Sequence, residues 1–411
     1  MGMSIDVERR SVSLDPRDPA FFNDPYPAYR AIRAATPVFF WEQYGFWCFA
    51  RHAQVSALLR DRRFGRQILH LTSRQKLGWS EPPAHLRPFL DVERHSLLEL
   101  EPPEHTRLRH LINRAFVSRQ VERLAPRIES LANELIDRFE ARGAVDLLEH
   151  FATPIPVIVI AELLGVPGEM WARLLDWSHR MVAMYQFGVT RAVEDSAVAA
   201  TQEFVAFLRD YVEARRGART DDLISQLISA ESEAGRLSEE ELIATCILVL
   251  NAGHEATVHG VGNGVKALLE AHIDPSRAFA TPAASAAMVE ELLRFDAPLH
   301  LFTRYALEDI DLDGVALRQG DRIGLLLGAA NRDPERFPDP DLIDVSRSPN
   351  PHVAFGGGIH FCIGAPLARL EMEIALPALL KRYPALRLVD PSIAWKDNFT
   401  LRGPKSLRLA G

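Results

Sequence analysis

A cysteine framed by glycines, with a histidine two residues before it, is the chemically richest stretch of the chain: FGGGIHFCIG, residues 355–364. Glycine loses more conformational freedom on folding than any other residue, so a cluster of it signals a sharp turn or a large body lying against the backbone. The segment that follows, APLARLEMEIALPALLKRY, reads as a helix with Pro366 in its first turn. Cys362 therefore sits just ahead of a helix N-terminus, where the dipole favours a thiolate and free backbone N–H groups can reach the sulfur. Several chemistries remain open on this stretch alone. A buried structural cysteine leaves the glycines unexplained. A zinc site from His352, His360 and Cys362 lacks a CxxC pair. A phosphate loop lacks its Lys-Ser/Thr ending. A cysteine nucleophile with a histidine base and a metal thiolate both fit.

The elements that must position this loop are mostly helical. RLRHLINRAF, VERLAPRIESLANELIDRFEARG and TQEFVAFLRDYVEARRG are amphipathic. Two segments read as strands: VFFWEQYGFWCFA (38–50), turning near Tyr44-Gly45, and IDLDGVALRQGDRIGLLL (310–327), with turns at Asp313-Gly314 and Gln319-Gly320. The most informative helix is predicted from Ser238 to about Ala271. Ser238 and Glu241 form a capping box. Leu242, Ile243, Cys246, Ile247, Leu248, Val249 and Leu250 then cover nearly every side, as in a buried helix of about 50 Å. Its middle, NAGHEATVHG, is polar and carries two glycines, a local inconsistency of the kind found at functional sites.

Composition narrows the classes. The 411 residues are 47% hydrophobic and 25% charged, as in an ordinary globular protein able to bury a large core. A net charge of -8 argues against nucleic acid as a partner. No apolar run is long enough for a signal peptide or a bilayer span, so no membrane association is expected. Three scattered cysteines, Cys48, Cys246 and Cys362, fit a reducing cytoplasm. No repeat or low-complexity linker appears, and residues 1–411 read as one mainly helical domain with small sheets.

FGGGIHFCIG resembles, at every defined position, the haem-binding loop of cytochrome P450 enzymes, F-G-x-G-x-H-x-C-x-G. Further matches follow the family's order: PPEHTRLR (102–109) its propionate helix, AGHEAT (252–257) its oxygen-binding kink, ELLR (291–294) its E-x-x-R helix, then NRDPERF (331–337) and DVSR (344–347). The resemblance implies a mainly α fold with minor β-sheets, a triangular helical prism. It implies haem b (iron protoporphyrin IX) with Cys362 as the thiolate ligand, pushing electron density onto iron. The glycines, Gly364 among them, would let the loop lie flat under the porphyrin, and Phe355 would shield the sulfur. His105, Arg109, Arg304 and His360 fall on propionate-binding positions. Glu291 and Arg294 fall on a buried structural pair, joined by Arg347, with Arg336 the competing third member.

The activity implied is monooxygenation of a small organic substrate. Electrons would come from a ferredoxin or flavodoxin with an NAD(P)H-dependent reductase, a fused reductase domain not being expected. Arg107, Arg114 and Arg369 are candidates for the docking face. A peroxide-driven oxygenase and a non-enzymatic haem-thiolate sensor are the alternatives. The pocket is expected to draw on the loop 66–98, MVAMYQFG (181–188), Leu248, Asn251, Leu299, Phe302 and Phe399. Asn251 is polar where the family is usually apolar, and is expected to face the substrate. Arg62, Arg63, Arg66, Arg74, Lys76, Arg87 and Arg94 raise an acidic substrate as an option, against a merely solvated loop.

AGHEAT departs from the family pattern A/G-G-x-D/E-T-T/S. Ala252, Gly253 and Glu255 match, but the alcohol position is Ala256 and Thr257 comes one residue late. One helical step rotates a side chain by about 100°, so Thr257 cannot simply stand in. Either Glu255 with waters delivers protons, or a polar group of the substrate completes the relay.

Overall fold

The computed structural model describes residues 2–115, 121–139, 143–232, 235–390 and 392–411. The chain divides into two units, Met1–Gly65 with Pro126–Thr153 and Ala256–Gly411, and Arg66–Ala125 with Pro154–Glu255.

The first unit holds a seven-stranded sheet. Both segments expected to be extended enter it. Val38–Trp41 and Phe46–Phe49 form an antiparallel hairpin whose turn uses Gly45 at φ +69°. Leu301–Ala306 and Arg322–Leu326 pair antiparallel, and the latter joins Phe46–Phe49 in parallel, Gly324 opposite Cys48. Asp313 (φ 52°) and Gly314 (φ 72°) turn the small hairpin Ile310–Leu312 to Val315–Leu317. Alternation sends Phe39, Trp41, Phe46 and Cys48 into one core with Phe21, Tyr29 and Phe399. Val38 and Phe49 enter another core with Val55, Ile323 and Leu325. Helices Pro282–Phe295 and Ala365–Arg382 also belong to this unit.

The second unit is built on helices, among them Glu104–Ala115, Pro154–Leu164, Trp171–Val182 and Arg191–Gly217. The central helix, Glu239–Glu270, runs 32 residues without interruption, and the unit boundary falls within it at Glu255/Ala256. Its start is the expected reciprocal cap: Ser238 Oγ accepts from the Glu241 amide (3.1 Å) and a Glu241 carboxylate oxygen from the Ser238 amide (2.9 Å).

One expectation needs correcting. Residues 121–143 are not one helix: the chain turns at Arg123–Leu124 and the helix starts anew as Ala125–Asp137. Pro126 explains the break, because it has no N–H to give and its ring clashes with a preceding helical turn.

Candidate active site

In the first unit the cysteine loop is closed by its own backbone. The Cys362 amide donates to the Phe355 carbonyl at 3.0 Å, and a short turn at Gly358–His360 fills the interval. Gly356 and Gly358 sit at φ +70° and +67°, conformations that side-chain-bearing residues avoid. Close packing adds a second demand. A Cβ on Gly358 would meet the Leu59 carbonyl oxygen at 2.4 Å, one on Gly357 would meet Leu59 and Arg60 at 3.2 Å, and one on Gly356 would meet Phe302 at 3.0 Å. These glycines therefore fit the loop against its own unit, a reason that motif reading alone does not give. Gly364, the cap of helix Ala365–Arg382, has its Cβ direction 3.9 Å from Cys362 Sγ.

The three cysteines differ in kind. Cys48 and Cys246 are buried, and burial pushes both thiols up, Cys246 to about 12. Cys362 is exposed. Only its sulfur is placed to meet a ligand, on a loop ahead of a helix N-terminus, and this donor chemistry fits a thiolate ligand for iron. Phe302 and Arg304 share one face of strand Leu301–Ala306. Arg304 is buried, donates to the Thr303 carbonyl at 2.9 Å and has its guanidinium 5.9 Å from the Phe302 ring. A buried guanidinium and the half-buried His360 suit an anionic group in this unit.

Glu291 and Arg294 are fully buried, and their chemistry is used up internally. Arg294 places two N–H groups on Glu291 (2.8 and 2.7 Å) and three on the carbonyls of Asn331, Pro340 and Leu342. That is every donor of a guanidinium. Glu291 also accepts from the Asp344 amide (2.8 Å), from Asn350 (3.1 Å) and from Arg347, 3.4 Å away. Arg347 is thus the third member; Arg336 is exposed on the surface.

One pocket expectation fails here. Phe399 packs against Phe21 (5.1 Å between ring centroids), Trp41 (5.4 Å) and Tyr29 (6.4 Å), so its ring is spent on the core. Leu299 forms a bridge with Leu401 and is half-buried. Sequence reading also missed a cluster beside the loop. Glu290 takes Arg369 Nε (2.5 Å), Arg369 Nη2 (3.0 Å) and His352 Nε2 (3.1 Å). Burial pushes the Glu290 carboxyl up, but the His352 and Arg369 hydrogen bonds win and hold it at about 2. Arg369 also lies 4.5 Å over the Phe355 ring, so it braces the loop instead of offering a free docking charge. Glu371, two residues on, is buried with no hydrogen-bond partner among the described residues, and burial alone pushes its carboxyl well up.

In the second unit His105 and Arg109 stand one helical turn apart on Glu104–Ala115, His105 buried and Arg109 half-buried. Arg107 is tied to Glu241 of the capping box, and the Arg114 side chain lies outside the described residues. Part of the arginine-rich loop is paired internally: Arg66 with Glu99, and the exposed Arg87 and Arg94 both with the one carboxylate of Asp91. Arg63, in the first unit, pairs with Asp61. That favours the solvated-loop reading over an acid-binding one.

The central helix carries the sharpest pattern. Between Leu242 and Val265 the only side chains not buried are Leu248, Val249, Ala252, Gly253 and Ala256. Leu248, Ala252 and Ala256, four apart, form one stripe. Ala256 is on it, while Thr257 is buried off it. Gly253 has a packing reason, since a Cβ there would meet Ile160 Cδ1 at 2.4 Å. Asn251 is buried beside Met181, its Nδ2 3.7 Å from the sulfur and its Oδ1 without a hydrogen-bond partner among the described residues. Glu255 Oε1 lies 3.3 Å from Nε2 of the half-exposed His179, a residue that sequence reading overlooked because it comes from another helix.

Among the described residues no helix is long and apolar enough to cross a membrane. Residues 285–404 match the family model "Cytochrome P450". The chain is 36% identical over 401 residues to "Polyketide biosynthesis cytochrome P450 PksS" of Bacillus subtilis (strain 168), covering 95% of this chain and 97% of that one. It is 39% identical over 397 residues to "Cytochrome P450 monooxygenase PikC" of Streptomyces venezuelae, covering 94% and 91%. A solved structure of P450BioI in complex with hexadec-9Z-enoic acid ligated acyl carrier protein superposes with a TM-score of 0.88 at 33% identity, over 95% of this chain and 99% of that one.

Proposed function

Since the chain belongs to the cytochrome P450 family and is a haem-thiolate monooxygenase of bacterial type, we propose that residues 1–411 form one catalytic domain that hydroxylates an acyl- or polyketide-type chain. Support for the substrate class comes from relatives named for polyketide biosynthesis and for an acyl-carrier complex. The apolar stripe Leu248, Ala252 and Ala256 suits such a chain.

Haem b, when bound, supplies the iron that activates dioxygen with two electrons, one oxygen atom going to the product and the other to water. Cys362 Sγ would hold the iron, and in the same unit Arg304 and His360 would bind a propionate; in the second unit His105 and Arg109 have the chemistry for the same role. Glu290, through Arg369, braces Phe355 over the cysteine loop. Glu255 holds a proton-accepting oxygen next to the half-exposed His179. Ala256 adds no hydroxyl on the stripe, so a polar group of the substrate, or a water it orders, completes proton delivery. Leu248 and Ala252 line the substrate side of the central helix, while the buried Asn251 packs against Met181 and takes no part in substrate contact. The electron donor is a ferredoxin or flavodoxin fed by an NAD(P)H-dependent reductase, and the enzyme works in the cytoplasm.

The observation that carries this reading is the exposed Cys362 on a loop whose glycines are demanded by positive φ and by close packing. Haem-loaded enzyme supplied with a ferredoxin system, a carrier-linked or free acyl chain and isotopically labelled dioxygen should yield a product with one labelled oxygen. Labelled water with unlabelled product would contradict hydroxylation. Turnover with hydrogen peroxide alone, matching that with the ferredoxin system, would contradict the electron-donor assignment.

A further inference from the structure

We propose that His179, His254 and Glu255 form a binding site for a zinc-class divalent cation, wholly within the second unit. One potential ligand atom from each lies within 4.8 Å of the others. His179 Nε2 and Glu255 Oε1 are already 3.3 Å apart. That matches the separation of about 3.4 Å between two ligands of a tetrahedral zinc ion with bonds near 2.1 Å.

An ion pair alone accounts for His179 and Glu255. It does not account for His254, whose ring centroid lies 5.5 Å from that of His179. His254 Nδ1 is 2.9 Å from the Leu250 carbonyl oxygen. A carbonyl can only accept, so Nδ1 carries a proton, and Nε2 is the ring atom through which His254 would bind an ion. A backbone carbonyl fixing the far nitrogen is the usual way a protein orients a metal-binding histidine. His254 and Glu255 are buried on the central helix, while the half-exposed His179 comes from helix Trp171–Val182. The buried pair is held on one helix, and a small rotation of the exposed His179 ring would close the remaining distance.

Donor type sets the metal class. Two imidazoles and one carboxylate suit Zn2+, whereas Ca2+ and Mg2+ prefer oxygen-only sets. Three protein ligands leave a fourth position for water, and the exposed edge of His179 gives an entry path. Occupancy would withdraw Glu255 from proton handling, a consequence that rests on the monooxygenase reading above.

The test uses the haem-loaded full chain, so that Cys362 is engaged, and Zn2+ alone as the probe. Titration calorimetry should show one Zn2+ per chain. Zinc-edge X-ray absorption should show a nitrogen and oxygen shell without sulfur. His179→Ala and His254→Gln should each weaken binding by at least about tenfold. His179→Ala is the safer variant, because its ring is half-exposed and its loss should not disturb folding. No saturable binding, a sulfur in the zinc shell, or undiminished affinity in His179→Ala would overturn the proposal. None of these readouts involves turnover, so their failure leaves the monooxygenase reading untouched.

Discussion

Two clusters of charge in this molecule are built on opposite plans. Around Glu291 and Arg294, all five guanidinium N–H groups and both carboxylate oxygens are engaged, deep in the first unit. Around Glu255, in the second unit, two histidines converge on one carboxylate, and one of them is open to solvent. The first arrangement has no capacity left for chemistry and ties the helix Pro282–Phe295 to the loops at Asn331, Pro340 and Leu342. The second keeps titratable groups within reach of water. Complete internal satisfaction marks a structural site; accessible, convergent donors mark a functional one.

The largest expected effect is at the closed cluster. Arg294→Leu leaves Glu291 buried with only Arg347 and neutral donors, which should cost about 3–5 kcal/mol. Thermal unfolding followed by circular dichroism checks this. A loss no greater than that of a surface arginine would place the pair outside the structural class.

Glu371 sharpens the same point with the opposite defect, a buried carboxyl left without a partner. Burial raises its folded pKa well above the unfolded value of 4.5. The folded chain therefore holds a proton that the unfolded chain releases, and stability falls as pH rises above about 4.5, by at most about 1.4 kcal/mol per pH unit. Glu371→Gln should flatten that fall, gaining stability at pH 8 relative to pH 5. Denaturant unfolding at the two pH values gives the answer; an unchanged difference would mean that the carboxyl is ionised in the fold.

His179→Ala should cost less than Arg294→Leu, because the His179 ring is half-exposed even though its partner Glu255 is buried. Its effect belongs in proton handling: more reducing equivalents should be lost as peroxide per product formed. A large stability loss would assign His179 to the closed type.

The smallest structural effect is expected from Ala256→Thr, on the accessible stripe. Coupling should improve for substrates lacking a polar group near the oxidised carbon and change little for one that carries it. Equal coupling of apolar and polar substrates in the unmodified enzyme would remove substrate-assisted proton delivery.

Much of this was legible in the residues, for reasons that differ from place to place. The capping box at Ser238 and Glu241, the hairpin turns at Gly45 and Gly314, and the start of helix Ala365–Arg382 are local, so short-range chemistry specifies them. Glu291, Arg294 and Arg347 came from motif resemblance, but the three carbonyls that complete Arg294 lie 37 to 48 residues away. Phe399 was misplaced because an isolated aromatic has the same look at a pocket and in a core; only the packing of Phe21, Trp41 and Tyr29 decides. His179 was missed for a similar reason: it acts across helices, and nothing in WARLLDWSHRMV marks it.

The central claim is that Cys362 is the thiolate ligand of the haem. The direct measurement is the absorption spectrum of the reduced, haem-loaded protein under carbon monoxide, with Cys362→His alongside. The unmodified chain should show the red-shifted Soret band of a thiolate-ligated complex, and Cys362→His should lose that band while still binding haem. A thiolate band that survives in Cys362→His, or a histidine-type band in the unmodified chain, would contradict the account.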